Sequence, residues 1–237
     1  RNVKELMENV DLAVYHVKHS GKNGIQVFDT MFRNNNAQGL TRDRAHIYRE
    51  YETTIYALTA AIDAKDHYTF SHSNNVAYYA TMLATALGMN EDMIEIIRQA
   101  ALLHDVGKIG IPEYVLNKPG RLTDEEYEIM KTHTLIGADM LKSLDMYKDE
   151  KLVKLAYEIC RWHHERYDGK GYPDGLKGEE IPISAQVVSL ADVYDALISK
   201  RVYKKAYSHE KAMDMILHGE CGVFNPILLE CLVEIQD

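Results

Sequence analysis

Glycine and proline are placed very unevenly along this chain, and their placement limits the folds open to it. Past residue 100 they gather in two stretches. Residues 106–122 hold Gly107, Gly110, Pro112, Pro119 and Gly120, and residues 168–183 hold Gly169, Gly171, Pro173, Gly175, Gly178 and Pro182. Gly loses extra backbone entropy in a helix, and Pro removes an amide donor there, so a chain that gathers most of both in two loops is free to be helical elsewhere. The apolar pattern agrees. From Arg44 to Ala64, Ile47, Tyr51, Ile55, Leu58 and Ile62 fall at steps of three and four, one face of a helix. Ser71 is placed to cap a second helix through Val76, Tyr79, Ala80, Leu83 and Leu87, ending at Gly88. A third starts at Asn90 and leads through Ile94, Ile97, Ala101 and Leu102 to His104 and Asp105. Further helices are predicted over 123–132, 134–144, 150–165, 184–199, 208–218 and 226–236, with Thr123 and Glu126 as a capping box and Asn225-Pro226 as an N-cap and N1 pair. The expected class is all-α.

The first forty residues differ. Val3 to Lys18 can form a short amphipathic helix, Ser20 to Gly24 a turn, and Ile25 to Phe28 a short strand-like run; the polar stretch Arg33 to Arg44 reads as a linker. Residues 1–32 are therefore expected to be a small αβ-like piece, 33–43 the linker, and 44–237 the main helical domain.

Charge narrows the function. With 27 Lys and Arg against 36 Asp and Glu, the chain carries a formal net charge of -9. Binders of nucleic acid or of membrane surfaces need a cationic footprint, so neither is expected, and an anionic substrate would need a local positive site. Cys160, Cys221 and Cys231 are odd in number and form no C-x-x-C, which speaks against a disulfide framework or a thiolate zinc site and for a reducing cytosolic setting. No apolar run is long enough for a membrane span, and a start at Arg1 with neither initiator Met nor signal peptide reads as a fragment of a longer protein.

Eleven His residues occur, and His72, His104, His133, His163 and His164 sit beside expected helix ends or the breaker loops. Adjacent helical residues point about 100° apart, so His104-Asp105 and His163-His164 can each present two ligands to one cavity from a last helical turn. Asp192 lies in the apolar run Val188-Ser189-Leu190-Ala191-Asp192-Val193, where a lone carboxylate is costly unless paired or bound to a cation. Taken singly, each has a plainer explanation, as a capping or surface His or as a buried Asp bonded to a neighbouring helix. Their joint order is what suggests a metal centre. Imidazole with carboxylate and no sulfur suits Fe, Mn, Zn, Ni or Co, and two such ions can generate a hydroxide and bind phosphoryl oxygens.

Three segments together carry a resemblance to a known family. They are His104-Asp105-Val106-Gly107-Lys108-Ile109-Gly110-Ile111-Pro112; Lys118-Pro119-Gly120-Arg121-Leu122-Thr123 with His133; and His163-His164-Glu165-Arg166-Tyr167-Asp168-Gly169-Lys170-Gly171-Tyr172-Pro173. Residues 45 to 237 closely resemble the HD-GYP family, a subclass of the HD phosphohydrolases that hydrolyses cyclic di-GMP. The resemblance implies an HD-type helical bundle with a C-terminal GYP-type helical extension. It implies metal ligands at His72, His104, Asp105, His133, His163, His164 and Asp192, with Asp105 bridging. Lys108 would reach the scissile phosphate, and Tyr172, Arg201, Lys204 and Asp66 would contact the ligand. Members of the three-metal type carry a Glu four residues before the upstream His. Tyr68 stands there in this chain, so two divalent transition-metal ions are expected rather than three. The implied activity is hydrolysis of cyclic di-GMP to pGpG, with GMP as a further product, by a metal-bridging hydroxide. Two other readings stay open: an HD hydrolase on another cyclic dinucleotide or a nucleotide, and a weakly catalytic cyclic di-GMP-binding signalling module.

Asn9 to Asn23 resembles the closing helix and turn of a GGDEF domain without its catalytic motif. Residues 1–32 are accordingly expected to be a GGDEF remnant, and GGDEF proteins, an upstream GGDEF-like domain or a second copy of the chain are the macromolecular partners to consider.

Overall fold

Helix α8 (Ile183–Ile198) is buried almost all round along its first half, from Ser184 to Ala191, and three other helices pack against it. A helix apolar on every side belongs in the middle of a bundle. The computed structural model describes residues 52–66, 71–144, 151–199 and 206–235, and among these there are ten α-helices and no strand. They are α1 (52–65), α2 (His72–Ala86), α3 (Glu91–Ala101), α4 (Glu113–Leu116), α5 (Asp124–Lys131), α6 (His133–Lys142), α7 (Lys151–Trp162), α8, α9 (His209–Leu217) and α10 (Pro226–Glu234). All but the start of α1 fall in one compact unit, Ile55–Asp237. The expected remnant at 1–32 and linker at 33–43 lie outside the described residues.

Helix α2 packs on α3 and α8, α3 on α7, and α7 on α6. The apolar stripes explain the order. Val76, Ala77, Ala80, Leu83 and Ala84 of α2 face Ile96, Ile97, Ala100 and Ala101 of α3 across the core, and Leu155, Ala156, Ile159 and Cys160 form the buried side of α7. Small residues dominate these faces, so the helices approach closely. All three cysteines are free, and Cys160 donates to the Leu103 carbonyl at 3.0 Å. No helix among the described residues is long and apolar enough to cross a membrane.

Local sequence sets most boundaries. Asn90 accepts from Met93 N, Thr123 and Glu126 form the capping box, and Asn225 accepts from Ile227 N with Pro226 at N1. Gly88 ends α2 at φ +71°, in the left-handed region. Ser71 departs from expectation. It precedes α2 in a helical conformation and its side chain does not cap it. Helix α7 stops at Trp162 rather than continuing to 165, because Glu165 N closes a turn on Trp162 O and the chain then folds back along itself. The first breaker loop is also more ordered than expected, forming a 3-10 turn over Val106–Gly110 and the single turn α4.

One close approach ties this turn to the bundle. A Cβ on Gly107 would lie 1.9 Å from the His133 carbonyl oxygen and 2.5 Å from Gly137 N, so only glycine lets the 3-10 turn rest on the first turn of α6. That contact brings Asp105 and His133, 28 residues apart in sequence, to the same place.

Candidate metal centre

Side chains from five elements converge where α2 and α6 begin, α3 and α7 end, and α8 passes between them. Asp105, His133, His163 and His164 form one group, and His72, His104 and Asp192 form another; within each, one ligating atom per residue lies within 4.8 Å of all the others. The two dipeptides behave differently from each other. His163 and His164 enter the same group, from the turn just after α7, whereas His104 and Asp105 divide between the two groups. Both dipeptides point into the one centre, but His104-Asp105 does so from a turn over residues 102–105 rather than from a helical last turn, since α3 ends at Ala101; His104 Nε2 and Asp105 Oδ2 stay 3.2 Å apart while Asp105 also reaches the other group.

Asp105 stands between the groups. Its Oδ1 is 3.3 Å from His133 Nε2 and 3.8 Å from His163 Nε2, while its Oδ2 is 3.2 Å from His104 Nε2 and 2.8 Å from Lys108 Nζ. One carboxylate oxygen thus faces each group. Asp192 Oδ1 lies 3.4 Å from His72 Nε2.

The imidazoles are oriented from behind. Nδ1 of His104 donates to Ala101 O at 2.8 Å, that of His133 to Met130 O at 2.7 Å, and that of His163 to Ile159 O at 2.9 Å. His72 Nδ1 donates to Asp195 Oδ2 at 2.6 Å, and Asp195 is itself held by Asn75 and Ser199. This outer support fixes the tautomer and turns Nε2 inward, the arrangement found behind metal-bound histidines. The inward atoms His104 Nε2, His133 Nε2, His163 Nε2 and Asp105 Oδ1 are buried with no hydrogen-bond partner among the described residues. Their short contacts with one another are ion-pair distances without hydrogen-bond alignment. Buried polar atoms are almost always satisfied, so four orphans pointing at one another fit bound cations. The donor set of imidazole nitrogen and carboxylate oxygen, with no thiolate, suits divalent transition metals.

Electrostatics separates the groups. Burial, together with the charge on His104, holds His163 down to about 3; burial with the neighbouring imidazoles depresses His164, and burial with the Lys108 ammonium depresses His133. Burial opposes charge on His104 as well, yet the Asp105 carboxylate beside it prevails and raises it to about 9. Asp105 is desolvated, but Lys108 and His104 keep it well below the usual carboxylate range; His72 and His104 lower Asp192 against its own burial. Without a cation, the first group is thus neutral imidazoles around a carboxylate, and the second has a protonated His104 close to two carboxylates.

Three of the remaining expected residues, Asp66, Lys108 and Tyr172, lie around this centre. Lys108 Nζ also pairs with Asp66 Oδ2 at 2.7 Å, so Asp66 and Lys108 are brought together beside Asp105. The Tyr172 ring stacks on His164, with centroids 4.7 Å apart and planes at 26°. Arg201, Lys204 and Tyr68 lie outside the described residues.

Three supporting residues escaped the sequence reading. Lys65 Nζ donates to the carbonyls of Lys108 (3.2 Å), Ile109 (2.5 Å) and Ile111 (2.9 Å), gripping the end of the 3-10 turn. Asp195 supports His72, and its spacing of three from Asp192 on one helix was the available signal. Glu165 is buried, and its Oε1 accepts from Asp174 N at 2.8 Å and Gly175 N at 3.0 Å, which folds the second breaker loop over the histidine pair.

A helical bundle whose loops bring seven His and Asp side chains to one buried centre defines a metal-binding HD fold, and the comparisons agree. The HD domain family model matches residues 56–221, and the chain belongs to that family. Its Gly171-Tyr172-Pro173 segment is that of the HD-GYP branch. A cyclic di-GMP phosphodiesterase of Vibrio cholerae is 39% identical over 221 residues, 90% of this chain and 43% of the relative. A 3'3'-cGAMP-specific phosphodiesterase of the same organism is 36% identical over 203 residues, 84% of this chain and 38% of the relative. The chain thus spans less than half the length of these relatives. The solved structure of Bd1817, an HDG"Y"P protein from Bdellovibrio bacteriovorus, shares the fold with a TM-score of 0.55 at 22% identity, covering 70% of this chain and 51% of its own.

Proposed function

We propose that this chain is the catalytic part of a metal-dependent phosphodiesterase that opens cyclic di-GMP to linear pGpG. The observation that carries the reading is the pair of donor groups sharing Asp105, with unpartnered buried atoms directed into both. Asp105, His133, His163 and His164 would hold one divalent transition-metal ion, and His72, His104 and Asp192 a second, with Asp105 between them. Such a pair of ions supplies an acidified water and positive charge for the phosphoryl oxygens.

The protein's own groups do the rest. Lys108 is set 2.8 Å from the shared carboxylate, where its ammonium offsets charge developing on a phosphoryl group. Asp66 and Lys65 keep it there, one by its ammonium and the other by its backbone. Tyr172, stacked on His164, offers a wall for a nucleobase next to the reacting phosphate.

Relatives named for cyclic di-GMP and for 3'3'-cGAMP both support a guanine-containing cyclic dinucleotide. The test is chromatography of products after metal-loaded protein is incubated with cyclic di-GMP, 3'3'-cGAMP and cyclic di-AMP. Cyclic di-GMP is expected to yield pGpG, and Asp105→Asn to leave it intact. Exclusive cleavage of 3'3'-cGAMP would move the chain to that substrate, and binding of cyclic di-GMP without cleavage would make it a signalling module.

A further inference from the structure

We propose that Tyr127 and Lys131, on α5, form with Tyr172 a corner that reads guanine at the mouth of the metal centre; the inference rests on the cyclic dinucleotide reading above. Helix α5 is unusual in burying none of its side chains. It is held at its N-terminal end, through the Thr123–Glu126 capping box and a Lys118–Glu126 ion pair at 2.5 Å. A helix that contributes nothing to the core is free to present side chains outward, and this one presents an aromatic ring and a cation beside the site.

Rings run from the metal centre to the surface. His133 and His164 have centroids 5.1 Å apart, His164 and Tyr172 4.7 Å, and Tyr172 and Tyr127 6.3 Å. The last two rings stand at 81°, edge to face, so they meet as a corner, and Tyr127 is 48% exposed. Lys131 follows Tyr127 by four residues, on the same helical face. Its Nζ lies 5.5 Å from the Tyr127 centroid and 5.8 Å from that of Tyr172, at the inside of the corner. The ammonium pairs with Glu128 Oε1 at 2.7 Å, but Glu128 is 69% exposed, and such a surface pair is readily given up.

Aromatic faces hold any base by stacking, and the ammonium adds selection. Guanine presents two acceptors, O6 and N7, on one edge, which suits a lysine. Adenine places an amino donor beside N7, which an ammonium cannot accept. Lys131 is two residues from His133, and Tyr172 touches His164, so the corner sits at a fixed distance from the reacting phosphate. A base held there belongs to the same substrate molecule, and the corner favours guanine over adenine in it.

The test uses the whole chain, loaded with metal. For Lys131→Met, kcat/KM for cyclic di-GMP is expected to fall about 10- to 100-fold, mainly through KM, and the preference over cyclic di-AMP to narrow about 10-fold. Tyr127→Ala is expected to weaken both substrates, and Tyr127→Phe to restore them. A loss that leaves the guanine-to-adenine ratio unchanged would reveal only structural damage and overturn the proposal. Calorimetric binding of GMP and AMP reads the corner without turnover. If no cyclic dinucleotide is cleaved while GMP binds more tightly than AMP in a Lys131-dependent way, the substrate reading falls and the corner stands. Equal binding of GMP and AMP by the unsubstituted protein overturns the corner alone.

Discussion

Replacing Gly171 by alanine isolates how the second breaker loop is held over the histidine pair. Gly171 has no left-handed backbone, so its role is purely steric. An added Cβ would lie 2.3 Å from Glu165 Cα, 2.4 Å from Arg166 N and 2.6 Å from Glu165 C, all backbone atoms that no rotamer change can move. Ordinary contact begins near 3.4 Å, so the loop has to retreat by about 1 Å. That retreat breaks the 2.8 and 3.0 Å bonds from Asp174 N and Gly175 N to the buried Glu165 carboxylate. Two hydrogen bonds to a charged group make the expected cost about 3 kcal/mol or more. Tyr172 moves off His164 as well, and a displacement of this size beside the reacting groups lowers kcat/KM about 100-fold. Gly175→Ala is the internal control. There φ is +69° and the nearest neighbour, the Gly169 carbonyl oxygen, would be 3.8 Å away, so only the left-handed backbone penalises alanine, by about 1–2 kcal/mol. Urea unfolding with matched m-values, run with steady-state kinetics, separates the two. If Gly171→Ala costs less than Gly175→Ala, the loop does not rest on the 165–166 backbone and the reasoning fails.

Other outcomes follow from the same geometry. Lys65→Met removes the ammonium that holds three carbonyls of the 3-10 turn, so amide exchange across residues 108–111 quickens and kcat falls about 10-fold. An equal further loss when it is combined with Lys108→Met would show that Lys65 does not act through Lys108. Asp195→Ala leaves His72 Nδ1 without its carboxylate, and cation affinity at the His72, His104 and Asp192 group should drop 10- to 100-fold by titration. In the metal-free protein His104 is raised to about 9, so its stabilising charge is fully present below pH 6.5 and is lost as pH rises toward 9, about 3 kcal/mol in all. His163 is depressed to about 3, so its contribution is present above pH 6.5 and is lost as pH falls below it. Metal-free stability should therefore peak near pH 6.5; a continued rise from pH 6.5 to 9 would contradict the His104 assignment, and a fall from pH 5 to 6.5 that of His163.

The fold was legible in the sequence where one residue's own chemistry decides an outcome. Thr123 with Glu126, Asn90, Gly88 and Asn225-Pro226 set helix ends by local bonds or backbone preference, and the helices fall where these signals stand. The seven candidate metal ligands were legible as an ordered set, and the structure brings them together. What the sequence concealed depends on backbone meeting backbone. Nothing local indicates that Gly107 lies on the His133 carbonyl, that α7 stops at Trp162, or that Lys65 caps a turn more than forty residues away. That His104 and Asp105 sit in a turn rather than in a last helical turn was hidden for the same reason, since helical geometry assigns adjacent residues an angle that a turn does not keep. Tyr127 and Lys131 read only as part of a polar helix until Tyr172 stands beside them.

The most direct measurement is the stoichiometry and sharing of metal. Metal-free protein titrated with Mn2+ should take up two ions per chain, and Asp105→Asn, which alters the one carboxylate facing both groups, should weaken uptake at both. Uptake of a single ion, or two ions bound with unchanged affinity by Asp105→Asn, would contradict a centre built around that carboxylate.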